Sequence, residues 1–381
     1  MSRRPLYPHQ YQLHNPLSPS PDSPLDPAAA SAATGRFMRG YTNGDDALLM
    51  HARYLAVADG VGSWNLREKG YPALWSRLLV HYFSIGCERF FNRSRRKKRE
   101  DSTLNAKAVD EEDVDIKGVL NDAFNAVVKA TATRTDNVVI GKSRAIDALP
   151  TSASQRFHGT TTFTGCILHG NRLYVVNVGD SHCLVLRPSH VPPPDAGEDS
   201  RFLLRTTEQW HYFDCPRQLG TDSPDTPLGN AVVSSVKVEN GDIVVLATDG
   251  LLDNLWEEEV VSIILRTLSI ATAGGTGADG WEAGEIEQMM KKRGKTLEEG
   301  VNVAFREYLA GVDIGGEDDG GELMTSVAAE LVKAAKVVAT DPYTESPWME
   351  RAVEEGKGAQ GGKLDDISVV IGRVIGVPDV A

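Results

Sequence analysis

The chain has 381 residues, 41% of them hydrophobic, enough for a sizeable core in one large domain or two ordinary ones. With 53 acids against 40 Lys and Arg its formal net charge is −13, which argues against a nucleic-acid surface, because phosphate binding needs a surplus of cations on one face. No run approaches the ~18 apolar residues of a membrane span. The four cysteines, Cys87, Cys166, Cys183 and Cys215, show no C-x-x-C spacing and read as buried small hydrophobes in a reducing compartment rather than a disulfide frame or zinc site.

Residues 1–35 are rich in Pro, Ser and Ala and carry Arg3 and Arg4. They read as a flexible tail, with an organelle-targeting segment as the alternative; scarce Arg and many prolines, which spoil an amphipathic helix, weigh against the latter. "YLAVADGVGSW" (54–64) is an apolar run ending on Asp59 and Gly60. In 71–91, Leu74, Trp75, Leu78, Leu79, Tyr82 and Phe83 recur at helical spacing and predict an amphipathic helix. The basic "RSRRKKRE" (93–100) and acidic "DEEDVD" (110–115) read as a solvated surface loop, and 116–131 as a second helix. From 160 to 187 the texture is β, with a turn at His169, Gly170 and Asn171 and a third strand after Gly179 and Asp180. Residues 232–250 repeat the hairpin logic around Asn240-Gly241. A helix over 255–268 follows, its early acids suiting the dipole at its start. Gly-rich loops at 273–280 and 311–321, a helix over 325–340 and a closing strand over 365–375 complete the chain. Antiparallel hairpins with helices before and after them predict an α+β fold, a sheet sandwich covered by helices rather than a doubly wound parallel sheet. No linker divides 36–377, which reads as one domain.

Carboxylates sit at the ends of apolar runs: Asp45 and Asp46 in "GDDALLM", Asp59 in "VADGVG", Asp180 in "NVGDSH", Asp249 and Asp253 in "ATDGLLDN", and Asp365 and Asp366 in "KLDDISVV". Asp is a poor strand residue and is rarely buried without a partner, so each is a cap, a turn or a ligand. If several shared one end of a sandwich their charges would raise one another's pKa, and divalent cations would remove the conflict. Oxygen-only donors favour Mg2+ or Mn2+ over zinc, which recruits His or Cys.

The ordered set "GDDA", "VADGVGSW", "NVGDSH", "LATDGLLDN" and "GGKLDDISVVI" resembles the metal-dependent type 2C protein Ser/Thr phosphatases from about Tyr41 to Val374. "TEQWHYFDCPRQL" (207–219) and "TDPYTESPW" (340–348) resemble the mitochondrial branch of fungi and animals. The resemblance implies a four-layer α-β-β-α sandwich of two antiparallel sheets flanked by helices, filling 36–377 with surface insertions near 92–115, 188–200, 269–295 and 311–322. It implies two Mg2+ or Mn2+ ions. Asp59 would bridge them; the Gly60 carbonyl and Asp46, with Asp45 acting directly or through water, would hold one, and Asp249 and Asp365 the other. Asp180 and Asp253 match positions that hold a weaker third ion in some members, and Asp366 would support Asp365.

The implied reaction is in-line hydrolysis of phosphoserine and phosphothreonine by a water that the two ions share and acidify, with no catalytic side chain beyond it. Phosphoproteins are the expected partners, nucleic acid is not, and residence is mitochondrial with cytoplasmic as the alternative. Many members carry a His where Val61 stands and an Arg where Tyr41 stands; Arg36 and Arg39 are candidates to grip phosphate but also ordinary surface residues, and His211 faces substrate or is structural. An aspartyl-nucleophile phosphatase would need D-x-D, which neither "VADGV" nor "ATDGL" has. "GGKL" lacks the remaining features of a P-loop. A non-catalytic phosphoprotein-binding scaffold of the same fold is the rival from another class; it would be expected to lose metal ligands, whereas Asp46, Asp59, Asp249 and Asp365 are all present.

Overall fold

A computed structural model of the chain describes residues 39–100, 114–132, 156–188, 202–272 and 321–377. The tail at 1–35, the loop at 273–280 and the insertion around 188–200, apart from Pro188, lie outside the described residues, as do most of the other expected insertions. The chain opens with β1 (Tyr41–Asn43), β2 (Asp46–His51), β3 (Tyr54–Ala58), a 3-10 turn at Gly62–Leu66, α1 (Pro72–Glu100) and α2 (Ile116–Thr131). There follow β4 (Thr160–Thr161), β5 (Phe163–His169), β6 (Arg172–Val178), β7 (His182–Leu186), β8 (Leu204–Arg205), β9 (Trp210–Tyr212), β10 (Cys215–Pro216) and β11 (Leu219–Gly220). The last part holds α3 (Pro227–Asn230), β12 (Val232–Lys237), β13 (Ile243–Ala247), α4 (Asp249–Leu252), α5 (Glu257–Thr272), α6 (Gly321–Thr340), α7 (Pro347–Glu354) and β14 (Val369–Arg373). The architecture is mixed α+β, its larger sheets ordered β1-β2-β3-β5-β6-β12 and β14-β13-β7-β8.

The chain divides into two compact units. The first comprises Met1–His169, Tyr174–Gly179 and Pro216–Val233. In it α1 buries Leu74, Trp75, Leu78, Leu79 and Phe83, the residues whose spacing predicts the helix, in one core with Ala47, Ala56 and Ala58 of the sheet and Leu120, Phe124 and Val127 of α2. The second unit comprises Gly170–Leu173, Asp180–Cys215 and Ser234–Ala381. Its core joins Leu184, Val245 and Ala247 to Val261, Ile264 and Leu268 of α5 and Val327, Leu331 and Ala335 of α6. Cys87, Cys166 and Cys183 are buried and Cys215 half-buried, all as free thiols; burial pushes the Cys166 thiol up to about 12.

Three expectations are corrected. The basic run 93–100 continues α1 to Glu100 instead of forming a loop; Lys and Arg are good helix formers, and neither Gly nor Pro interrupts them. Residues 232–247 are not a hairpin. The chain does turn at Gly241, at φ +98°, but β12 and β13 enter different sheets. Every residue of β13 is buried, whereas β12 is almost wholly exposed. A strand so apolar belongs inside a sheet, and both its edges are taken, by β7 and β14. The closing strand is also shorter than expected, because it starts at Val369 and leaves Asp365 and Asp366 on the segment entering it.

Candidate metal centre

In the first unit the acids follow from strand register. Ala47 pairs with Ala58 as the last pair of the antiparallel β2–β3 ladder, and that register, carried one residue further, would bring Asp46 toward Asp59. Like charges directly opposed on neighbouring strands are destabilising, and Asp46 is only 1% exposed. The backbone of Asp59 is fixed from β4 and the residue after it: its N–H donates to Thr162 Oγ1 (3.2 Å), and its carbonyl accepts from Thr162 N (2.9 Å) and Thr161 Oγ1 (2.7 Å). A Cβ on Gly60 would lie 2.4 Å from the Asp45 carbonyl oxygen and 3.0 Å from the Pro72 backbone, so no other residue fits there. Asp45 itself accepts from Asn65 Nδ2 through Oδ2 and from Ser76 Oγ through its carbonyl (2.6 Å).

In the second unit the acids gather around an ammonium. Thr248 ends β13, and its N–H donates to the Ser368 carbonyl (3.0 Å), which brings the approach to β14 alongside α4. Asp249 opens α4 and Asp253 stands one turn later, so both project from one face of it. Lys363 Nζ lies 2.7 Å from Asp249 Oδ2, 2.7 Å from Asp253 Oδ2, 3.2 Å from Asp214 Oδ1 and 3.5 Å from Asp365 Oδ2. Asp366 supports Asp365 through its backbone N–H, which donates to Asp365 Oδ1 (2.9 Å). Asp180 follows Gly179 (φ +102°) and is buried with Oδ1 lacking a hydrogen-bond partner.

These carboxyls resist ionising. Desolvation and the Asp249 charge raise Asp180 well above the usual range, against the pull of Lys363. Desolvation pushes Asp253 up to about 6, with Lys363 opposing and Asp249 reinforcing. Asp365 is pushed up to about 7 by desolvation and Asp249, although its side chain keeps 38% of its surface. Burial works against the Lys363 charge, but the surrounding aspartates raise its pKa far above the ordinary value.

Arg351 closes the cluster from α7. It pairs with Asp253 Oδ1 and, through Nη1, with both carboxylate oxygens of Glu208 at 2.8 Å, while its guanidinium stands 5.2 Å from the Trp210 ring centroid. His182 Nε2 is 3.2 Å from Glu208 Oε1. Burial opposes ionisation of Glu208, yet His182 and Arg351 hold its carboxyl below the ordinary value. The stretches 207–219 and 340–348, which carry the branch resemblance, therefore lead into a single clamp on Asp253. Nothing in the sequence alone marks Lys363, Arg351 or Glu208 as part of the site.

The other candidates fall elsewhere. Arg39 is committed within the fold, to Glu88, Ser84 Oγ (2.7 Å) and Tyr54 Oη (3.3 Å), while Arg36 lies outside the described residues. His211 is exposed on β9, and Tyr41 is 54% exposed.

The donor sets suit hard divalent ions. They are all oxygen, they include the buried unpartnered Asp180 Oδ1, and the ammonium between Asp249 and Asp253 marks a place that draws a cation. Among the described residues no three such side chains are already drawn together as ligands; in the second unit the carboxylates are turned onto Lys363 and Arg351 instead.

The family pattern described as Protein phosphatase 2C matches residues 38–279, and the chain belongs to that family of protein serine/threonine phosphatases. Among curated proteins it is similar to the "Protein phosphatase PTC7 homolog" of Danio rerio, 26% identical over 360 residues, covering 89% of this chain and 84% of that protein. It is also similar to the "Probable protein phosphatase 2C 1" of Oryza sativa subsp. japonica, 27% identical over 285 residues, covering 69% of this chain and 67% of the rice protein. Among solved structures, the photosystem II phosphatase PBCP is 21% identical with a TM-score of 0.49, covering 92% of this chain and 96% of that one.

Proposed function

We propose that the protein hydrolyses phosphoserine and phosphothreonine in phosphoproteins with the help of two divalent ions, Mg2+ or Mn2+. Asp59, Asp46, Asp45 and the Gly60 carbonyl would hold one ion, and Asp249 and Asp365 the other. Asp180 and Asp253 are the candidates for a third. The ions, when bound, supply a nucleophilic water of lowered pKa and draw in a phosphate that a protein of net charge −13 would otherwise repel. The four-layer sandwich, the single catalytic domain over 36–377 and mitochondrial residence belong to the same reading and rest on family and branch resemblance.

What supports it is the β2–β3 register, whose last pair is Ala47 with Ala58 and whose continuation would bring Asp46 toward Asp59; two carboxylates so placed repel one another, and a divalent cation between them would relieve that. The chain's own contribution is orientation. Thr161 and Thr162 fix the Asp59 backbone, the missing Cβ of Gly60 lets the Asp45 strand approach, and Ser76 holds the Asp45 carbonyl from α1. Val61 cannot donate a proton to the leaving alkoxide, so solvent does so.

Purified protein should hydrolyse a phosphothreonine peptide with Mn2+ or Mg2+ and lose that activity in chelator. Asp59→Asn should reduce kcat by ~100- to 1000-fold, in the range seen when an electrostatic contributor to a transition state is removed. Full turnover in excess chelator would overturn the reading.

A further inference from the structure

A lysine among carboxylates is ordinary on a surface, but Lys363 is placed by built structure on both sides. Its backbone N–H donates to Asn254 Oδ1 (2.9 Å), and its carbonyl accepts from Asn254 Nδ2 (3.0 Å). Asn254 is fully buried and also donates to the Gly250 carbonyl (2.9 Å), so one side chain ties the Lys363 backbone to α4. Upstream, Gly361 takes φ +82° and its carbonyl accepts from the buried Ser346 Oγ (2.8 Å). A Cβ on Gly362 would meet the Val338 carbonyl oxygen of α6 at 2.1 Å. The Gly-Gly-Lys segment thus passes close against α6 and delivers the ammonium to a fixed point. That point is 2.7 Å from Asp253, a candidate for the third ion, and 2.7 Å from Asp249, assigned to the second. The other third-ion candidate, Asp180, is 5% exposed and feels the Lys363 charge.

We propose that Lys363 is a resident cation, its ammonium standing between Asp249 and Asp253 in place of a third metal ion, so that the protein loads two divalent ions and not three. The proposal rests on the two-ion reading above. An ammonium is tethered and needs no binding equilibrium, so it also holds Asp249 and Asp253 in position when no metal is present. Arg351 and Glu208 complete the arrangement by fixing the outer oxygen of Asp253. A third ion could take Asp253 only by displacing Lys363 from it.

The test counts bound Mn2+ by equilibrium dialysis and calorimetry on the full chain. Wild-type protein should bind two equivalents. Lys363→Gln, with Lys363→Met as a second variant should the first fail to fold, should bind a further equivalent, and Asp180→Asn in that background should remove it. In chelator the lysine variant should melt on the order of 5 °C below wild type, as expected when one partner of a buried charge cluster is lost, and excess Mn2+ should close the gap. Three equivalents in wild type would overturn the proposal while leaving the two-ion reading intact. An unchanged count in both lysine variants would also overturn it. No bound Mn2+ in any form would overturn the two-ion reading and the proposal with it.

Discussion

Burial, with Arg77 and Arg39 adding to it, lowers the His81 pKa to about 4, and the neutral ring accepts a hydrogen bond at Nδ1 from the Arg39 backbone N–H (3.1 Å). Between about pH 4 and 6.5 the unfolded chain binds a proton at this position that the folded one refuses, so stability rises with pH across that window and is lost as pH falls through it. The loss should be about 2 kcal/mol after allowance for partial exposure. Urea midpoints at pH 7.5 and 4.5 should differ less in His81→Gln than in wild type; equal slopes would show that another group dominates. His81 stands in a helix whose pattern is plain, yet its role depends on a residue 42 positions away. The same distinction divides the candidate site. Asp46, Asp59, Asp249 and Asp365 stand out in the sequence because each borders an apolar run, before it or after it, a signal carried by neighbours in sequence. Lys363, Arg351 and Glu208 do not, because their partners lie 114, 98 and 143 positions away, and only the folded chain brings them together.

Elements were legible where one face of a single segment decides the matter. Helix α2 spans the expected 116–131, because its apolar residues recur at one period and Asp115 caps it by accepting from Gly118 N (2.8 Å). Pairing was less legible. An Asn-Gly turn between apolar runs predicts a hairpin at 232–247, but the turn fixes only a change of direction, and the partners of β13 come from residues 182–186 and 369–373. Helix α7 shows how an element's start reaches the site. Ser346 Oγ caps it by accepting from Met349 N (3.1 Å) and donates to the Gly361 carbonyl (2.8 Å), on the segment that carries Lys363. Ser346→Ala removes the cap and strands that carbonyl, costing ~1–2 kcal/mol. Because α7 presents Arg351 and Gly361 precedes Lys363, turnover should fall along with the urea midpoint. A lowered midpoint with unchanged kcat and KM would show that the cap serves stability alone.

At the scale of the molecule, net charge and metal binding make competing claims that one experiment separates. A chain of formal charge −13 is stabilised by any added electrolyte, because counter-ions screen its self-repulsion. Ions held at sites act differently: they bind the folded state alone and saturate. At a concentration 100 times its dissociation constant a bound ion contributes ~2.7 kcal/mol, or about 3 °C in melting temperature for a chain of this size. Millimolar Mn2+ should therefore raise the melting temperature by about 7 °C over chelated protein if two ions bind, with a plateau in the titration. NaCl of matched ionic strength should give only a small, unsaturated rise. Asp59→Asn, which removes a single charge of the total, should leave the NaCl response unchanged and abolish most of the Mn2+ increment. If NaCl matched Mn2+ throughout, the clustered aspartates would be only part of a general acidic surface, and the proposal of a two-ion centre would be lost.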